Sequence, residues 1–175
     1  YIGTAALIGL NCNRPLHAPS LIPLRSEATD IPGNRDLDTA ERQRRIEMFW
    51  QPFQAQVTAI LNTRQARGRP TAVVGIHSFT PVFLGEARPW HAGVLYGAAQ
   101  AFAERLLGHL RADPALAIGA NAPYRVTPDT DYTVPVHGDA RGLEAALFEI
   151  RQDLLQHEDA IAAWAARLAS ALSPL

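Results

Sequence analysis

The chain has 175 residues, 47% of them hydrophobic, which is enough for one domain with a sizeable core. A formal net charge of −1 excludes the strongly basic balance that tracking a phosphate backbone requires, so no nucleic-acid partner is expected. No apolar run approaches the ~20 residues that span a bilayer, and the single cysteine, Cys12, excludes an internal disulfide framework and suits a reducing, cytoplasmic compartment.

The first apolar run, Thr4 to Leu10, reads as a strand that leads into Asn11, Cys12, Asn13, Arg14 and Pro15. At such a strand end Asn13 and Arg14 offer donors for a carboxylate or a carbonyl, the arginine through a bidentate fork. A long connection from His17 to Leu37 ends in Ile31-Pro32-Gly33-Asn34, and loops of this length are usually functional or mobile. Asp38, three residues before Glu41, reads as the N-cap of a helix that reaches about residue 65. Ile46, Phe49, Trp50, Phe53, Val57, Ile60 and Leu61 recur along it at helical spacing, Pro52 marks a kink or a restart, and Arg42, Arg44 and Arg45 form a solvated face.

Arg67-Gly68-Arg69-Pro70 breaks that helix and feeds the strand Thr71 to Ile76, which delivers His77 to a strand end. Strand ends of open α/β sheets face the ligand crevice, and imidazole is a favoured zinc donor. A core or capping histidine is the plain alternative. In the loop that follows, Arg88 either binds an acidic substrate group or stacks on Trp90. Gly93 to Tyr96 reads as a short strand. Ala98 to Arg111 is an amphipathic helix with Phe102, Leu106, Leu107 and Leu110 inward, and Leu116 to Gly119 is a strand leading to Asn121.

His137, followed by Gly138 and then Arg141-Gly142, either presents a proton donor or an oxyanion partner at a tight turn, or serves the turn alone. The run Ala145 to Phe148 is a strand that ends at Glu149, a partly desolvated carboxyl placed for general acid or base work. Asp153 to Leu172 closes the chain as a helix, with Leu154, Leu155, Ile161, Trp164, Leu168 and Leu172 on its apolar side. Strands alternating with helices imply an α/β fold of three αβα layers, with a mixed, mostly parallel sheet.

Together the words Asn13-Arg14, His77-Ser78-Phe79-Thr80-Pro81, Arg88-Pro89-Trp90-His91, Asn121-Ala122-Pro123-Tyr124, His137-Gly138, Arg141-Gly142-Leu143 and Glu149-Ile150-Arg151-Gln152-Asp153-Leu154 resemble the N-formylglutamate amidohydrolase family of the zinc carboxypeptidase-like superfamily. The resemblance runs from Asn11 to the final helix. It implies a phosphorylase/hydrolase-like fold and a zinc-dependent cleavage of a small N-acyl, above all N-formyl, acidic amino acid. By the same resemblance His77 is the later zinc ligand, Glu149 activates the metal-bound water, and Asn13 with Arg14 grips the substrate carboxylate. Arg88, His137 and Arg141 are further candidates for substrate contact.

The sequence departs from the family in two places. The family's two earlier zinc ligands, a histidine and an acidic residue, precede the Asn-Arg word, yet the residues before Asn11 include no His, Asp, Glu or Cys. The expectation is therefore a single domain over residues 1–175 that lacks its N-terminal part, with the remaining ligands in an absent upstream segment. The family's acidic residue before Pro123 is Ala122 here, and its carboxylate two positions before Glu149 is Leu147. Two rival functions follow from the residues: a non-catalytic carboxylate-binding domain built on Asn13, Arg14 and Arg88, and a metal-free nucleophilic enzyme using Cys12 or Ser78.

Overall fold

The computed structural model describes residues 9–173, which divide into two compact units. The first unit is the chain up to Thr71 together with Thr127–Thr133, and the second is Ala72–Val126 with Val134 onward. Of the strand expected over Thr4 to Leu10, only Gly9 and Leu10 fall among the described residues, and neither is in a strand.

In the first unit the long connection carries structure of its own: a hairpin of β1 (Arg25–Ser26) and β2 (Thr29–Asp30), and single 3-10 turns at Pro19–Leu21 and Pro32–Asn34. Helix α1 (Thr39–Arg45) starts as expected, with the Asp38 carboxylate accepting from the Glu41 N–H at 2.7 Å. Hydrogen bonds from Arg44 and then Arg45 lower the Glu41 carboxyl to a pKa of about 2. A widened π-turn at Ile46–Trp50 separates α1 from α2 (Gln51–Ala66). Pro52 stands in the first turn of α2, where its missing N–H is least disruptive, and the adjustment that it requires is taken up by the turn before it. Leu10, Leu21, Ile22 and Trp50 form the buried core of this unit, and Tyr132 meets Trp50 edge-to-face with ring centroids 5.0 Å apart.

One arginine of the expected solvated face turns inward. Arg45 donates to Gly9 O, Gly33 O, Asn34 Oδ1 and Glu41, because its position on α1 faces the 3-10 turn at Pro32–Asn34. Asn34, 2% exposed, passes the link on through its own amide to Pro23 O at 2.7 Å.

The second unit holds a four-stranded sheet of β3 (Ala72–Phe79), β6 (Ala92–Leu95), β7 (Ile118–Ala120) and β8 (Glu144–Arg151), in the order β3-β8-β6-β7. A small hairpin, β4 (Val82–Phe83) with β5 (Glu86–Ala87), follows β3. The pairings β3–β8 and β6–β7 are parallel and β6–β8 is antiparallel, so the sheet is mixed and mostly parallel, and the α/β class holds.

Residues alternate between the faces of these strands. Ala146, Phe148 and Ile150 of β8, with Ala92 and Val94 of β6, pack against Phe102, Leu106, Leu107 and Leu110 of α3 (Gln100–Arg111) and against Trp164 and Leu168 of α4 (Glu158–Leu172). The opposite face carries Val73, Gly75, His77 and Phe79 of β3 and Ala145, Leu147 and Glu149 of β8. The last helix is shorter than expected: Gln152–Leu155 is a 3-10 turn, α4 begins only at Glu158, and Ile161 is exposed. No helix among the described residues is long and apolar enough to cross a membrane.

Leu106 is fully buried between sheet and helix. Leu106→Ala is expected to cost about 2–5 kcal/mol through lost transfer energy and a residual cavity, measured as a lower urea midpoint at unchanged slope.

Candidate functional site

The parallel register of β3 and β8 sets His77 directly opposite Glu149, so both side chains stand on the sheet face away from α3 and α4. His77 Nδ1 lies 3.6 Å from Glu149 Oε1, an ion-pair distance too long for a hydrogen bond. Glu149 is 5% exposed, and its other oxygen, Oε2, is buried with no hydrogen-bond partner among the described residues. A buried carboxylate oxygen left open is costly, so it marks a place where a ligand donor belongs.

Beside that carboxylate the sheet row is glycine, and the space its side chains would take is filled by another segment. Gly93 is the register neighbour of Glu149 on β6, and Gly119 is the neighbour of Gly93 on β7, so the row across the sheet reads His77, Glu149, Gly93, Gly119. A Cβ on Gly93 would collide with Ala122 O, and one on Gly119 would come within 2.8 Å of Ala122 Cβ and 3.0 Å of Trp90 Cδ1. The segment Asn121-Ala122-Pro123 therefore crosses the row at close range. Asn121 pins it at a positive φ of 49°, donating from its backbone to Val94 O and accepting from Tyr96 N–H through its side chain, both at 2.9 Å. Gly75 does the same for Leu147, whose Cδ2 occupies the space that a Gly75 Cβ would take.

These residues meet only part of what a metal needs. A catalytic zinc takes three protein ligands and leaves one position open. Among the described residues no three His, Cys, Asp or Glu side chains come together, so those residues alone do not hold a zinc. What they offer is one imidazole whose Nδ1 faces a carboxylate, the arrangement that orients a histidine ligand through its other nitrogen.

One strand step beyond His77, the guanidinium of Arg88 lies over the rings of Phe83 and Tyr124, with Cζ 4.5 and 4.7 Å from their centroids, and 5.8 Å from that of Phe79. It also donates to Tyr124 Oη at 2.7 Å. The stacking partner considered from the sequence, Trp90, is not among these rings; the β4–β5 hairpin folds back so that Phe83 takes that place. Arg151 holds the loop from below, reaching Arg88 O and Trp90 O at 3.4 and 3.5 Å while pairing with Asp153. His91 serves the fold, its Nδ1 accepting from Ala117 N–H at 2.9 Å.

His137 stands in a π-turn, Thr133–Gly138, and is 2% exposed, an interior position. Burial, and secondarily the positive charge of Arg141, lower its pKa. Arg141 closes the 3-10 turn Asp139–Arg141, followed by Gly142 at a φ of 65°. Gly138 lies against Ala145, where a Cβ would not fit.

In the first unit Asn13 and Arg14 converge on Asp131, 8% exposed. Asn13 Nδ2 donates to Asp131 Oδ1 at 3.0 Å, and Asn13 Oδ1 accepts from the N–H groups of Tyr132 and Thr133. Arg14 Nη1 reaches Asp131 Oδ1 at 3.4 Å and also donates to Thr130 O, while its Nε is buried without a hydrogen-bond partner among the described residues. Asp131 Oδ2 accepts from Thr130 Oγ and Thr127 N. Asp131 has no signature in the sequence: it lies in a polar Thr/Asp run far from Arg14 along the chain. Gly93 and Gly119 did carry one, since glycine inside a strand marks close backbone approach.

Among the described residues the Cys12 thiol faces a backbone carbonyl, Phe49 O, and not a base. Burial raises the Cys12 thiol pKa, which disfavours the thiolate. Ser78 follows His77 on β3 and so points to the other face of the sheet.

A family model for N-formylglutamate amidohydrolase matches residues 9–156. A gene product of Agrobacterium tumefaciens, known from its crystal structure, is 39% identical, with a TM-score of 0.87 over 96% of this chain and 68% of that one. The crystal structure of N-formylglutamate amidohydrolase from Ralstonia eutropha JMP134 is similar at 18% identity, with a TM-score of 0.63 over 84% of this chain and 63% of that one, a likeness of fold. No curated protein matches the sequence.

Because the folded pKa of His137 is depressed, the unfolded chain binds its proton more readily, and stability present above the ordinary value of 6.5 falls as pH drops below it. The thermal midpoint is expected to fall between pH 7 and pH 5 on an acid arm that His137→Gln flattens, as followed by circular dichroism.

Proposed function

The chain belongs to the N-formylglutamate amidohydrolase family, and from that premise we propose that it hydrolyses the linear amide bond of an N-acyl acidic amino acid, N-formylglutamate being the leading substrate. The observation that carries this reading is the buried Glu149 carboxylate, open at Oε2 and facing His77 across the β3–β8 register. In the proposed reaction Glu149 takes a proton from a water as its oxygen bonds to the acyl carbon. It then gives that proton to the leaving nitrogen as the C–N bond breaks, releasing the free acid and the amino acid.

A family-like zinc belongs to the proposal through His77, which offers it one ligand; a complete set needs donors beyond the described residues. When bound, such an ion supplies Lewis-acid polarisation of the acyl oxygen. Arg14 is proposed to bind a substrate carboxylate, supported by a guanidinium held at Nη1 by Asp131 with a buried, open Nε. A cytoplasmic site of action, suggested by the lone thiol, belongs to the same proposal. The second reading, a carboxylate-binding domain without catalysis, draws on the same Arg14 and Arg88 and on the lack of a three-donor set among the described residues.

Glu149→Gln is expected to lower kcat by about 10²-fold or more, the range of general acid–base catalysis, with little change in KM, in an assay of formate release from N-formylglutamate. A kcat within a few-fold of wild type would remove the base from the proposal. Arg14→Met is expected to raise KM more than it lowers kcat, and elemental analysis should show zinc falling in His77→Ala; binding of N-formylglutamate with no turnover by wild type would favour the binding domain.

A further inference from the structure

We propose that Gly75 and Leu147 are a positioning pair for His77: the space left open above Gly75 seats the imidazole edge and a Leu147 methyl side by side, and so fixes which ring nitrogen faces Glu149. The inference rests on the hydrolase reading for the importance of His77 and adds the residues that orient it. Gly75 and Leu147 are register partners on β3 and β8, one side-chain step before His77 and Glu149 on the same sheet face. A Cβ on Gly75 would overlap Leu147 Cδ2 and would lie 3.6 Å from His77 Nε2. The leucine methyl thus fills the place of the missing side chain, while the ring leans back along β3 over the same point.

With Nε2 over Gly75, Nδ1 is the nitrogen turned to Glu149, 3.6 Å from Oε1. A half-turn of the ring about its Cβ–Cγ bond would set Cδ2 against the carboxylate instead and bring Cε1 over Gly75, which exchanges a donor for a carbon. The His77 side chain is 33% exposed, so its orientation depends on the few neighbours that it has. Leu147 is a firm one. It is 1% exposed, its register partner on β6 is the buried Leu95, and the preceding residue on its face, Ala145, is covered by Gly138. Gly75 lies within the regular strand β3, where alanine is the better residue on conformational grounds. A loss of function in Gly75→Ala would therefore come from the space and not from the backbone.

The test compares wild type, Gly75→Ala, Leu147→Ala and the double variant. The His77 tautomer is read by NMR of nitrogen-labelled histidine with a chelator present, at about pH 8, above the ordinary histidine value, and His77 is assigned by its loss in His77→Gln. Turnover of N-formylglutamate and the urea midpoint are measured beside it. Wild type is expected to hold one tautomer, with the proton on Nδ1. Each single variant should show two tautomers and a kcat lower by about tenfold or more, the scale of lost support behind a working histidine, with KM within a few-fold. The double variant returns a methyl to the shared point from the other strand, so the single tautomer and most of kcat should return, while the urea midpoint stays low because the rest of the leucine is gone. Single variants that keep the wild-type tautomer and kcat, or losses that merely add in the double variant, would overturn the pair. A tautomer that responds as expected in a protein without turnover would overturn the hydrolase reading while leaving the pair supported.

Discussion

The parallel pairing of β3 with β8 is the constraint on which the second unit depends, because its register puts an imidazole opposite a carboxylate on one face while Ala146, Phe148 and Ile150 of β8 enter the apolar core on the other. A slip of one residue would turn Glu149 into the packing of α3 and α4 and move Phe148 to the face that carries His77. The apolar face prevents this. Phe148 and Ala146 are fully buried in the cluster with Phe102 and Leu106, and exposing a buried phenylalanine side chain alone costs roughly 1.5–3 kcal/mol. Core packing on one face thus holds the reacting groups on the other at a fixed separation, and the glycines at 93 and 119 keep that face shallow enough for the Asn121-Ala122-Pro123 crossing.

The first unit solves a different problem: how to hold a guanidinium with few apolar contacts around it. Its solution is a chain of buried polar groups. Asp131 takes hydrogen bonds from Asn13, Arg14, Thr127 and Thr130, and Asn13 passes the link on to the backbone at Tyr132 and Thr133. Such a network is stiff only while every member is satisfied, so the open Nε of Arg14 stands out within it. Arg45 repeats the pattern, with acceptors at Gly9, Gly33, Asn34 and Glu41.

Much of the α/β order was legible because it rests on periodicity: the apolar runs leading to His77 and Glu149 are strands, although each continues two residues further, to Phe79 and Arg151, and the helical spacing of Phe102, Leu106, Leu107 and Leu110 is a buried helix face. The pairing of His77 with Glu149 was not legible from spacing, since strand order and register are set by contacts between segments about seventy residues apart. Arg45 was read as solvated because its helix neighbours are, and only the turn at Pro32–Asn34 brings it acceptors. Asp131, and the contact of Tyr124 with Arg88, escaped notice for the same reason: each acts on an arginine that is distant in sequence and meets it only in the fold.

The central claim is that the Glu149 carboxylate itself carries the proton in amide hydrolysis, and chemical rescue tests it most directly. Formate-free acetate would be added to Glu149→Ala, and release of glutamate from N-formylglutamate followed as acetate rises. The account predicts a low basal rate that climbs with acetate concentration toward saturation, as the small carboxylate enters the space that the Glu149 side chain vacates, and no such rise in His77→Ala. A folded Glu149→Ala protein with near-wild-type turnover before any acetate is added would contradict it.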